Sequence, residues 1–409
     1  MRLLYVADMY YPPTLGGSAI AVRRLAHGMA ARGHEVQVVA PGHGLFDTAE
    51  KDGRTVVIRC GAIPDLRPGM DPRKTGIRLP LLPAIAIRRA MDRFRPDLIH
   101  LQVPGYTAAT AAVLARLDGT PLVATCHGIP ENFWAPGDRS QPLFQAFGRF
   151  IWSLILENLE RCDAVLAPTR IAADLLRAQG LRKAALPVSN GVDLEVYRPP
   201  VDAGERRMLR ARFGLPDEGP VVLYAGRFAP EKRLEVLFDA MAHMSPDAAA
   251  TWAFVGRGVL DPVAELGRRG VDTSRVRMLG LLMDQDMPLI YRAVDVLVLP
   301  SEAELQGLVL LEAAASGCAL VGARALAIPE AIEHEVTGFL HEPGDAPGLA
   351  AALWRLIREP GLLDRMGSAA QEAVRHHAIP ACLDRTLAIY EEVMARRERR
   401  GTAPDPEGA

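Results

Sequence analysis

Two short stretches of the 409-residue chain gather charges of the kinds and spacings that hold anions and sugar hydroxyls. The first is Gly226-Arg227-Phe228-Ala229-Pro230-Glu231-Lys232, which follows the apolar run 221–225. Arg227 can grip phosphate oxygens with two parallel hydrogen bonds, and Lys232 adds a point charge. Two fixed cations on a short loop beside a helix N-terminus stabilise negative charge as it develops. The second stretch is residues 295–322, DVLVLPSEAELQGLVLLEAAASGCALVG. Val296–Leu299 reads as a buried parallel strand, and Glu302 and Glu304 lie in the loop after it. Gly307 allows close backbone approach, and Leu308–Ala315 has helical composition. Gly317 ends that helix, and Ala319–Ala323 is the next strand. Seven residues separate Glu304, at a loop mouth, from Glu312, inside the helix. Loops at the carboxyl ends of parallel strands, leading into helix N-termini, are where open α/β sheets bind ligands.

Glu304-x7-Glu312, followed by Gly317, Ile328-Pro329-Glu330 and Thr337-Gly338-Phe339-Leu340, resembles the donor-site signature of family-4 retaining glycosyltransferases. The resemblance implies that Glu304 contacts the transferred sugar and that Glu312 holds the nucleotide ribose. The family's usual E-G-F-G stands here as Glu304-Leu305-Gln306-Gly307. This is similar to the E-x-Q-G of a lineage containing diacylglycerol glucosyltransferases and related lipid glycosyltransferases. Gly226-Arg227 with Pro230-Glu231-Lys232 is similar to the family's G-R-x-x-P-E-K loop, which implies that Arg227 and Lys232 meet a sugar nucleotide's diphosphate. Gly226, Gln306, Gly307 and Leu308 join the donor-binding set on the same ground.

At 409 residues, with 49% apolar and 23% charged side chains, the chain suits two domains of about 200 residues. A net charge of −2 argues against a nucleic-acid partner. The five cysteines form no C-x-x-C pair, as expected of reduced thiols in a cytoplasm. The start MRLLYVADMY reads directly as a strand, without a signal-peptide pattern, and no apolar run reaches the roughly 18–20 residues of a spanning helix. Membrane contact is therefore expected to be peripheral.

In chain order, residues 3–7 read as a central parallel strand, and Gly16-Gly17 as a turn able to approach a ligand closely. The resemblance puts that turn, and Gly17 with it, against the donor phosphates. Ser18 is expected to cap the following helix, and 34–40 to form the next strand. Residues 67–95 carry eight basic and two acidic side chains, a net of +6, interleaved with aliphatics. Such a segment can dock on anionic lipid or form a solvated helix face. The stripe of apolar residues over 143–159 has helical spacing and reads as core. Further strands are expected at 97–101, 122–126 and 164–168. The second of these ends at Thr125-Cys126-His127-Gly128, and the resemblance places His127 near the sugar's outer hydroxyls. Pro130-Glu131-Asn132 is also similar to the lipid-glycosyltransferase lineage. Residues 189–200, SNGVDLEVYRPP, resemble the family's interdomain hinge. Asp284-Gln285-Asp286 has the form of a metal-binding D-x-D, but it precedes a helical stretch and reads as a helix cap.

The resemblance covers the chain to about residue 395. It implies an α/β protein of GT-B architecture, two facing Rossmann-like domains with a cleft between them. The expected divisions are an acceptor domain at 1–190, a nucleotide-sugar donor domain at 191–377, a helix at 378–397 crossing back to the first domain, and a flexible tail at 398–409. The implied activity is transfer of a hexose, with retained configuration, from a UDP- or GDP-linked sugar to a hydroxyl of a membrane lipid or lipid-linked acceptor. Arg227, Lys232, His127 and Glu304 are the expected catalytic residues. No metal or other cofactor is expected to be required. A soluble or polysaccharide acceptor, or epimerisation of the nucleotide sugar, are the alternatives. The expected location is cytoplasmic, with peripheral attachment to an anionic membrane surface.

Overall fold

The computed structural model of the protein describes residues 1–11, 16–64, 78–103, 105–130, 142–244 and 250–401. It contains two compact units, one of Met1–Asn190 with Pro380–Ala409, the other of Gly191–Ile379.

The first unit is built on an eight-stranded sheet. Its strands are β1 (Arg2–Ala7), β2 (Glu35–Pro41), β3 (Thr48–Asp52) and β4 (Thr55–Cys60), with a separate antiparallel pair, β5 (Ala62–Pro64) and β6 (Arg78–Pro80), before the next main strand. The main sheet continues with β7 (Leu98–Val103), β8 (Leu122–Cys126), β9 (Ala164–Ala167) and β10 (Ala185–Pro187). Their order is β10-β9-β8-β7-β1-β2-β4-β3, and only β3 runs antiparallel to its neighbour. Leu3, Leu4, Tyr5 and Val6 of β1 are all fully buried, as a parallel strand covered on both faces requires. The β3–β4 hairpin and β10 are additions to the strands expected from the sequence.

The helices of this unit are α1 (Gly17–Ala31), α2 (Pro83–Phe94), α3 (Tyr106–Asp118), α4 (Pro142–Glu160) and α5 (Arg170–Ala178). Ser18 does not cap α1. Gly16 holds that position, and its carbonyl already accepts from the Ile20 amide at 3.1 Å, so Ser18 falls inside the first turn. The stripe on α4 divides rather than forming core throughout. Trp152, Ile155 and Leu159 are buried, whereas Phe147, Phe150 and Leu154 are exposed. Within the basic segment, Arg67, Arg73 and Lys74 lie outside the described residues, as do Glu131 and Asn132. In the described part, Arg88 pairs with Asp92 and Asp118, and Arg89 with Asp47, so some of the charge is neutralised. Leu79, Leu81, Leu82 and Ile85 stay exposed beside them.

The second unit has six parallel strands: β11 (Val221–Ala225), β12 (Thr251–Val255), β13 (Val276–Gly280), β14 (Val296–Leu299), β15 (Ala319–Ala323) and β16 (Gly338–His341). Their order is β13-β12-β11-β14-β15-β16. Among the described residues eight α-helices accompany them: α6 (Ala203–Arg212) before the first strand, α7 (Leu234–His243), α8 (Pro262–Arg268), α9 (Met287–Ala293), α10 (Leu308–Ala315) and α11 (Ile328–Ala331) between strands, and α12 (Ala346–Arg358) and α13 (Leu362–Ala373) after the last. Strand order reverses between β11 and β14 here, and between β1 and β7 in the first unit. Crevices at such reversals, at the carboxyl ends of the strands, are the ligand sites of doubly wound sheets. Asp286 precedes α9 but makes no capping bond; it pairs with Arg212.

The last helix, α14 (Ile379–Gly401), belongs to the first unit from Pro380 onward. It enters that unit's core through Tyr390, which is fully buried. The Tyr390 hydroxyl donates to Tyr5 at 3.3 Å and meets Nδ1 of His100 at 2.5 Å. Nε2 of His100 bonds Thr125 Oγ1 at 2.8 Å. Burial pushes the His100 imidazole down to about 3, so it stays neutral inside this network. Tyr390→Phe leaves buried groups of Tyr5 and His100 without their shared partner. The expected loss is about 1–3 kcal/mol of stability, read as a lowered midpoint in chemical denaturation; an unchanged midpoint would show that the network adds nothing.

Candidate active site

In the second unit the two loops at the strand reversal are 226–233, after β11, and 300–307, after β14. These are the two charged stretches of the sequence. Parallel pairing of Val222 with Val296 and Leu223 with Leu297 sets β11 beside β14, so both loops leave the same edge of the sheet. Lys232 Nζ meets Glu304 Oε1 at 2.5 Å, joining them.

Each charge on the first loop is held. Pro230 opens a single turn of 3₁₀ helix, Pro230–Lys232, its fixed φ suiting a first helical position. Arg227 pairs with the buried Glu231 at 2.7 Å, and the Tyr224 hydroxyl donates to the Arg227 carbonyl at 2.8 Å. Arg233 then adopts a left-handed backbone, φ 53°, and pairs with Glu302 of the second loop at 3.0 Å. A third loop, after β12, braces the first. Gly226 donates to the Val255 carbonyl at 2.9 Å and Phe228 to that of Arg257 at 3.0 Å. A Cβ at Gly256 would stand 1.9 Å from the Gly226 carbonyl oxygen, so only glycine fits there.

On the second loop, Gly307 has φ 71° and stands at the N-cap of α10, a conformation that favours glycine. Gln306 and Leu308 flank it and are buried. The Glu304 carbonyl accepts from the Ala327 amide of the β15 loop at 3.2 Å. Leu326, just before that amide, is held at φ 41°, a strained conformation for a leucine. Glu312, within α10, is 4% exposed and accepts from the Tyr291 hydroxyl of α9 at 3.2 Å. Burial, followed by the Glu312 charge, pushes the Tyr291 hydroxyl far above its ordinary range, so it stays a donor.

The first unit holds the other two expected residues. Gly17 is exposed as the first residue of α1, directly after Gly16. His127 follows β8, and its Nε2 lies 2.5 Å from Gln102 Oε1. Burial pushes the His127 imidazole down to about 4. The structure thus brings Arg227, Lys232 and Glu304 to one loop cluster, with Gly226, Gln306, Gly307 and Leu308 in the same loops. Glu312 stands one helix turn beyond, and His127 and Gly17 belong to the other unit. Tyr224, Tyr291 and Gln102 were not singled out from the sequence, since a buried aromatic or amide has no spacing that betrays its partner; Glu231 was read only as part of the loop motif, and its pairing with Arg227 is what the structure adds.

Residues 15–196 match the description of Glycosyltransferase Family 4, and residues 219–359 that of Glycosyl transferases group 1. A D-inositol 3-phosphate glycosyltransferase of Saccharomonospora viridis is 32% identical over 75% of this chain and 72% of its own length. The chain belongs to glycosyltransferase family 4. This family-4 glycosyltransferase is also 32% identical, over 73% of its length, to the sulfoquinovosyl transferase SQD2 of Arabidopsis thaliana, of which it spans 57%. Its fold is that of the GT-B enzymes. Sucrose-phosphate synthase from Thermosynechococcus elongatus superposes with a TM-score of 0.78 at 21% identity, covering 97% of this chain and 100% of that one. Anabaena HepE, solved with UDP-glucose, gives 0.74 at 22% identity, covering 96% and 100%.

Gly256→Ala drives a methyl into the Gly226 carbonyl and so displaces the Arg227 loop. The glycosyltransferase should lose about 1–3 kcal/mol of stability, the usual cost of overpacking, seen as a lowered unfolding temperature in calorimetry. A variant as stable as the parent would mean that the loops are not braced as described.

Proposed function

We propose that this glycosyltransferase moves a hexose, with retained anomeric configuration, from a UDP- or GDP-linked sugar to a hydroxyl of a membrane lipid or lipid-linked acceptor. The observation that carries the reading is the meeting of Arg227, Lys232 and Glu304 at the β11–β14 reversal. The bond between the anomeric carbon and the diphosphate oxygen breaks, and charge grows on the diphosphate. Arg227 and Lys232 stabilise that charge in place of a metal. The acceptor oxygen bonds the anomeric carbon from the face the diphosphate leaves, and the acceptor proton passes to a departing diphosphate oxygen. No covalent enzyme intermediate is formed. Glu304 takes a hydroxyl of the sugar, Glu312 the ribose, and Gly17 the phosphates. His127 takes a further substrate hydroxyl.

The HepE structure with UDP-glucose supports a sugar nucleotide as donor. A lipid acceptor is supported by the Glu304-Leu305-Gln306-Gly307 sequence and by the exposed Leu79, Leu81, Leu82 and Ile85 beside arginines. No described helix is long and apolar enough to cross a membrane, so the docking we propose is peripheral, on a cytoplasmic anionic leaflet. The likeness to a D-inositol 3-phosphate glycosyltransferase supports a second reading, a soluble polyol phosphate as acceptor.

Incubation of the purified protein with nucleotide sugars, a total lipid extract and inositol phosphates, followed by mass spectrometry, separates the two acceptors. In the same assay Lys232→Ala should slow transfer by roughly 10²–10³-fold, the cost of removing one preorganised charge-stabilising donor; near-parental turnover would refute its role. In liposome flotation the protein should rise with vesicles containing anionic lipid and stay down with neutral ones. Equal recovery from both would end the docking proposal.

A further inference from the structure

Gln102 stands on β7 at the carboxyl edge of the first unit's sheet, in register with Ala7 of β1 and Thr125 of β8. That edge lies at the β1–β7 reversal. The side chain is 5% exposed, and its Oε1 lies 2.5 Å from Nε2 of His127. A carbonyl oxygen can only accept, so Nε2 of His127 carries the proton and donates. In a neutral imidazole the other nitrogen, Nδ1, then keeps its lone pair. Burial keeps this imidazole neutral by pushing it down to about 4.

The rest of the same strand face is satisfied. His100, two residues earlier, has Tyr390 on one nitrogen and Thr125 on the other. Gln102 differs: its buried Nε2 has no hydrogen-bond partner among the described residues. A glutamine placed only to fill the core would be replaceable by an apolar side chain, without that unpaired amide. What Gln102 does supply is the acceptor under His127.

We infer that Gln102 is a positioning residue that locks His127 as the Nε2–H tautomer, so that His127 meets a substrate hydroxyl as an acceptor through Nδ1. The inference rests on the proposed role of His127 at the substrate. It adds a direction: the substrate group facing His127 must donate its proton, which a hydroxyl does and an ether or a fluorine in its place does not.

The test uses the full chain labelled with ¹⁵N in its histidine rings, with the His127→Ala spectrum identifying the His127 signals. The parent should show a protonated Nε2 and an unprotonated Nδ1. Gln102→Met keeps the volume and removes the acceptor. Its His127 signals should move toward the average of the two tautomers, and transfer in the mass-spectrometric assay should fall by about tenfold, within the roughly hundredfold that misplacing a reacting group can cost. Gln102→Glu keeps an acceptor oxygen and should restore the parental ring pattern. A parent with Nδ1 protonated, or a Gln102→Met variant with parental ring signals, overturns the inference. Parental transfer rates in His127→Ala would instead remove the substrate role of His127, whatever the ring signals show.

Discussion

Lys232 and Glu304 are 72 positions apart in the chain, and their ion pair is what makes one site of two loops. The sheet brings them together. β11 and β14 are neighbours, and their amino ends are clamped by Asp295, which accepts from the Val221 amide at 2.7 Å and pairs with Arg206 and Arg210. A slip between these strands would break the clamp at one end and part the charges at the other. Lys232 and Glu304 are 16% and 14% exposed, so each is largely stripped of water and depends on the other. Removing either one would leave the other as an uncompensated, largely buried charge.

Around that pair the molecule spends side chains on stiffness. Glu231 is buried to hold Arg227, Tyr224 fixes the Arg227 backbone, and Tyr291 orients Glu312. Arg233 and Leu326 take left-handed conformations on either side of Glu304's loop. Strain of this kind persists only where surrounding contacts over-determine the backbone, and it gathers at functional sites. Preorganised charges do not have to reorient as the reaction proceeds, which is where most of their effect on rate originates.

The strands and the two charged loops could be read from the sequence because buried parallel strands are continuous apolar runs and the loops carry glycines at fixed spacing. Val296–Leu299 and Val221–Ala225 are of this type. The β3–β4 hairpin could not: Thr48–Asp52 is TAEKD, a largely exposed edge strand with no apolar signal. Ser18 misled because capping preference is local, whereas the start of α1 follows from the extended backbone at Gly16. The stripe on α4 misled in the other direction, since helical spacing shows that residues share a face but not what covers it. Gln102, Tyr291 and Tyr390 act through partners 25, 21 and 290 positions away, a separation at which no pattern in the chain points from one to the other.

The first unit is discontinuous in the chain, closed by a segment that begins at Pro380 after the whole second unit. The Val192 amide donates to the His377 carbonyl at 2.9 Å and the Ile379 amide to that of Val192 at 3.1 Å, so the outgoing and returning strands are stitched together at the second unit's border. On a ribosome the first unit therefore emerges with His100 and Tyr5 still lacking Tyr390. That network waits until the last helix is made, whereas the second unit is continuous in sequence and is complete beforehand. Synthesis order thus completes the second unit before the first has its last helix, and leaves Tyr5 and His100 without their shared partner until then.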